Sequence, residues 1–107
     1  MQLDYIDFDK EKKKLKRYPA EKEILGKIII HIKSCKTYQE LKFNALSKIY
    51  GFEELKHELA GYSSFRLGKN GVIRLIIKVD IEKDIVYFRY ISLDHYDDFK
   101  RRLRKGM

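Results

Sequence analysis

Tyr62-Ser63-Ser64-Phe65-Arg66-Leu67-Gly68, a Lys69-Asn70-Gly71 turn, and Ile73-Arg74-Leu75-Ile76-Ile77-Lys78-Val79-Asp80 decide the fold of this chain. Asn-Gly is a favoured hairpin dipeptide. The polar segment Asp80-Ile81-Glu82-Lys83-Asp84 reverses the chain again into Ile85-Val86-Tyr87-Phe88-Arg89-Tyr90-Ile91. Side chains alternate across a strand, so each run sorts into two faces. One face collects Phe65, Leu67, Ile73, Leu75, Ile77, Val79, Val86, Phe88 and Tyr90. The other collects Tyr62, Ser64, Arg66, Arg74, Lys78, Tyr87 and Arg89. The expected sheet has a greasy back and a basic, aromatic front suited to a polyanion with stackable bases.

Upstream, residues 2–8 alternate loosely as a first strand, and a charged stretch runs from Lys10 to Arg17. That stretch reads as a solvated helix face, or as an electrostatic approach surface for RNA. Pro19 suits the first turn of a helix over residues 19–34, in which Ile24, Leu25, Ile28, Ile29 and Ile32 share a face. The isoleucine content also allows a strand, but the segment exceeds ordinary strand length. Thr37 followed by Glu40 reads as a capping box. Leu41, Ala45, Leu46 and Ile49 give the next helix its stripe, and Gly51 stops it. Phe52 to Leu59 is a short helix or loop. A short helix starts near His95.

Strands in sequence with helices segregated from them imply an α+β fold. The expectation is a small antiparallel sheet of three or four strands, through residues 62–67, 72–80 and 85–91. N-terminal helices pack on one face and a short helix closes the chain.

At 107 residues the chain reads as a single domain, 1–107. Its net charge of +8 favours nucleic acid or another polyanion as partner. The only cysteine, Cys35, excludes an internal disulfide and fits a reducing cytoplasm. It reads as a small buried filler. The stretch Met1 to Tyr5 lacks a signal-peptide pattern, and the apolar run Ile28–Ile30 is too short to span a bilayer, so no membrane association is expected.

Three arginines on the front, Arg66, Arg74 and Arg89, with Lys78 beside them, offer two-pronged donors for phosphate. Tyr62 and Tyr87 can stack on bases or pack across strands. His95 follows the last strand where the basic front ends, and an imidazole there can move protons. Phe99 lies four residues on, to pack under a base or to cover the core. His57 is the competing histidine, and His31 reads as structural. The histidines lack metal-ligand spacing. Asp94, Asp97 and Asp98 suit a helix start better than a metal site. Neither metal nor cofactor is expected.

These residues resemble the RelE/ParE superfamily of toxins from bacterial toxin–antitoxin operons. Leu59 to Gly68 followed by Ile73 to Val79 is similar to that family's hairpin, of general form L-x-G…Y-x-x-x-R-h-G…h-R-h-h-h-x-h, with h apolar. Asp94-His95-Tyr96-Asp97-Asp98-Phe99 resembles the close of the YafQ and HigB branches, and His57 falls where YafQ-like members carry a histidine. The lysine pair typical of the RelE branch itself is absent. The likeness covers residues 52–100.

The resemblance implies a ribosome-dependent messenger-RNA endonuclease that works without a metal through attack of the ribose 2′-oxygen. It implies an antitoxin, the ribosome and messenger RNA as partners. By the same likeness Arg66 and Arg74 stabilise the phosphate, His95 or His57 is the acid or base, and Tyr96 or Phe99 orients the base. Tyr62, Lys78, Tyr87 and Arg89 remain RNA-binding candidates. The alternatives are a ParE-like toxin that binds DNA gyrase without chemistry of its own, and a silent RNA-binding domain.

Overall fold

A computed structural model describes residues 1–68 and 72–105. The Asn70-Gly71 turn lies outside the described residues. The chain runs β1 (Gln2–Asp4), α1 (Asp9–Lys12) with a 3-10 turn (Lys13–Leu15), α2 (Pro19–Ser34), α3 (Tyr38–Phe43), α4 (Ala45–Ile49) and β2 (Glu53–Glu54). A second 3-10 turn (His57–Leu59) leads into β3 (Tyr62–Arg66), β4 (Arg74–Asp80), β5 (Ile85–Ser92) and α5 (Asp97–Arg104).

The α+β class holds, with a wider and mixed sheet. Its order is β1-β5-β4-β3-β2. β1 pairs with β5 in parallel, and the other neighbours are antiparallel. The five strands exceed the expected three or four because β2 is only two residues long. So short a strand carries no periodicity of its own.

α2 forms as its sequence predicts, with Pro19 in the first turn and Leu25, Ile28 and Ile32 buried. These side chains meet Phe65, Leu75, Ile77 and Phe88 on the back of the sheet. Phe8, just ahead of the charged stretch, and Leu15, within it, close the same core. Within that stretch Glu11 is buried rather than solvated. It accepts the Ile91 N–H at 2.9 Å and holds Lys14 at 2.7 Å. Cys35 is buried, and burial pushes its thiol pKa up.

Thr37 caps α3, its hydroxyl accepting the Glu40 N–H at 3.2 Å. The single helix expected through Ile49 is broken at Asn44, whose extended backbone and side-chain bond to the Leu46 N–H start α4 afresh. The break rotates the predicted stripe: Leu41 is buried, while Leu46 and Ile49 are exposed. Ser47 turns inward instead and shares a 2.7 Å hydrogen bond with the buried His31.

One back-face assignment is corrected. Ile76 pairs with Tyr90 and Ile77 with Phe88, so Arg89 is an unpaired extra residue, a β-bulge. The bulge moves Tyr90 to the front. There Ile76, Tyr90, Leu55, Leu59 and Phe99 form a second apolar cluster, with Tyr62, Tyr96 and Leu103 against it. α5 therefore lies on the front of the sheet, opposite α2. Full burial of Phe99 is worth about 1.5–3 kcal/mol, the main hold on this eight-residue helix. No described helix is long and apolar enough to cross a membrane.

Candidate functional site

The second cluster divides the front. At one end stand Arg66, Arg74, Ser92 and the turn into α5. At the other, Lys78 lies 5.5 Å over the Tyr62 ring and Arg89 lies 5.2 Å over Tyr87. The predicted RNA-binding residues thus fall into two groups with an apolar plug between them. Phe99 belongs to the plug: it is 0% exposed, packed 5.1 Å from Tyr62 and 5.0 Å from Tyr90, and offers no face to a base.

At the open end Arg66 and Arg74 are direct partners across β3 and β4, and Arg74 also faces Ser92. Like charges directly opposite each other cost stability. Arg66 is held from below. Its N–H donates to the Tyr50 carbonyl at 2.9 Å, and its side chain crosses Gly51. Gly51 has φ +69°, where glycine carries no Cβ penalty.

Arg74 lies 5.6 Å over the ring of Tyr96, a cation–π contact. Tyr96 reaches across the front to β3 and β2. Its hydroxyl shares a 2.9 Å hydrogen bond with Ser64 and approaches the Glu53 carboxylate at 3.5 Å. The β2–β3 pairing sets Glu53 opposite Ser64, so both groups are presented by sheet register.

His95 precedes Tyr96 with its ring edge-on to it at 5.7 Å. Its backbone is left-handed, φ +67°, and its N–H donates to the Val72 carbonyl at 2.9 Å. His57 also takes a left-handed backbone, φ +58°. Outside glycine such conformations cost about 1–3 kcal/mol and collect at functional sites. His57 lines a cleft of about 300 Å³ that Tyr96 also walls. Tyr96 is therefore common to both histidines: its ring meets His95 and lines the cleft that His57 also lines.

The acids around His95 serve the turn. The Asp98 N–H donates to Asp94 at 3.0 Å, which with Arg101 nearby holds the Asp94 carboxyl below its ordinary range. Asp98 in turn accepts the Ser92 hydroxyl and the Leu93 N–H at 3.3 Å.

Two contributors escaped the sequence reading. Glu53 stands in a stretch read only as helix or loop, and its sole signal is an acid pair, Glu53-Glu54, between Phe52 and Leu55 in a basic chain. Gly51 was read as a helix stop, which it is, while also forming the bed for Arg66.

The fold has solved counterparts. A YoeB/ParE toxin from Agrobacterium tumefaciens superposes with a TM-score of 0.55 at 19% identity, over 90% of this chain and 100% of that one. A YoeB-YefM complex from Staphylococcus aureus gives 0.52 at 20% identity, over 85% of this chain and 91% of that one. No protein-family model and no curated protein matches the sequence. The chain has the RelE/ParE-type toxin fold that its hairpin and His95 segment resemble.

Proposed function

We propose that this chain is the toxin of a toxin–antitoxin pair and acts as an endoribonuclease on messenger RNA at the ribosome. The observation that carries this reading is the convergence at one end of the front: Arg66 opposite Arg74, Tyr96 bonded to Ser64 beside Glu53, and His95 against Tyr96. A surface that only binds a protein needs no such set. The comparison with the YoeB-YefM complex supports an antitoxin as a further partner.

The chemistry is an in-line displacement within one strand of RNA. The ribose 2′-oxygen forms a bond to the adjacent phosphorus while the bond to the 5′-oxygen breaks, leaving a 2′,3′-cyclic phosphate and a 5′-hydroxyl. The 2′ proton goes to a base, for which Glu53 is the available carboxylate. His95, as imidazolium, gives a proton to the departing 5′-oxygen. Arg66 and Arg74 bind the phosphate and take up the charge that grows on its oxygens. Tyr96 keeps the guanidinium of Arg74 and the carboxylate of Glu53 in one array.

Mapping messenger ends on translating ribosomes tests this. The parent protein should cut within the decoding site and Arg74→Ala should lose most of that activity. Intact messenger with the parent, together with inhibition of gyrase supercoiling, would replace this reading with the gyrase-binding one.

A further inference from the structure

The cleft beside Tyr96 has a shape and chemistry that the phosphate end lacks. It lies between the 3-10 turn after β2 and the start of α5, and measures about 300 Å³, the small end for ligand pockets. That suits one ring system rather than a length of chain. Leu55 and Leu59, both rooted in the second apolar cluster, form its floor. Tyr96 and His57 line it as well, with Glu53, Lys56 and the Glu58–Lys100 ion pair at 3.5 Å as its polar groups.

Apolar floor, aromatic walls and a few polar edges are what holds an unstacked base. The Tyr96 wall is the same ring that Arg74 covers at 5.6 Å. A phosphate on the arginines and a base in the cleft would therefore both lie beside one side chain, as neighbouring parts of one nucleotide can.

We infer that this cleft is a nucleobase subsite, in which the base of the nucleotide at the scissile phosphate stacks against His57. The inference rests on the nuclease reading for its ligand and assigns His57 to base binding, not proton transfer.

The test uses the four ribonucleoside 3′-monophosphates and inorganic phosphate, titrated into isotope-labelled protein and followed by the ring signals of His57, His95 and Tyr96. The nucleotides should shift His57 and Tyr96, whereas phosphate should leave His57 unmoved. His57→Gly, which suits the left-handed backbone, should weaken nucleotide binding roughly tenfold or more, the loss of one stacking partner. His57→Phe, which keeps a ring but cannot exchange a proton, should restore nucleotide binding. If phosphate and nucleotides give the same shifts, or if His57→Gly binds nucleotide like the parent, the subsite is overturned. So too if a folded His57→Phe fails to bind. Nucleotide binding with these features in a protein that never cuts messenger would remove the nuclease reading and leave the subsite standing.

Discussion

The side chain of Arg66 lies directly on the backbone of Gly51. A Cβ at position 51 would stand 2.2 Å from Arg66 Nε and 2.9 Å from its Cγ, with φ already at +69°. The helix-ending turn and β3 thus pack with a bare α-carbon between them. Gly51→Ala should cost about 1–2 kcal/mol from the left-handed backbone alone. It should also push Arg66 off its bed and cut cleavage more than the drop in melting temperature explains. The Arg66→Ala background checks this, because there the same change should cost stability but no further activity.

Arg66→Ala should leave melting almost unchanged, since an exposed strand arginine contributes within about 0.5 kcal/mol, while Arg74→Ala, at a half-buried position over Tyr96, should lower it modestly. Cleavage should fall roughly a hundredfold or more, the usual loss for one positioned oxyanion donor. Undiminished toxicity in the double variant would take both out of the site.

His95→Asn keeps a residue that tolerates the left-handed backbone and removes the titrating ring. Single-turnover cleavage should fall roughly a hundred- to ten-thousandfold with the melt unchanged. Parent-like cleavage, paired with loss in His57→Phe, would transfer the proton-moving role to His57.

Phe99→Ala should destabilise the protein by about 3–5 kcal/mol. The loss should be read in circular dichroism as melting of α5 ahead of the rest, since the ring pins that helix to Tyr62, Ile76 and Tyr90. A melt that stays single and unshifted would show that Leu103 suffices.

Stability should also fall in mild acid. Burial holds the His31 pKa below its ordinary value. The unfolded chain, with an ordinary histidine, binds the proton first as pH drops, so stability decreases from about pH 6.5 downward. Replacing His31 by Gln should flatten that part of the profile in denaturant titrations from pH 7 to 5.

The long alternating runs and α2 were readable because each repeats its period over two or more turns or residue pairs. Leu25, Ile28 and Ile32 state a helix, and Phe65, Leu75 and Ile77 state one side of a sheet. What was not readable lay where a single residue changes the phase. Asn44 divides one predicted helix by a local hydrogen bond, and Arg89 shifts Tyr90 across the sheet. The arginines and His95 were legible as residue types at strand ends. Glu53 was not, since its role comes from pairing with Ser64 and from Tyr96 reaching it over a separation of 43 residues.

The bulge on β5 has a consequence for what the strand can lose. With Arg89 left out of the count, Val86, Phe88 and Ile91 face the back while Tyr87, Tyr90 and Ser92 face the front, an unbroken alternation. Arg89 is thus a removable residue: excising it would shorten the strand without exchanging any neighbour between faces. What the chain keeps by carrying it is local twist and one guanidinium projecting beside Tyr87, at the far end of the front from Arg66 and Arg74.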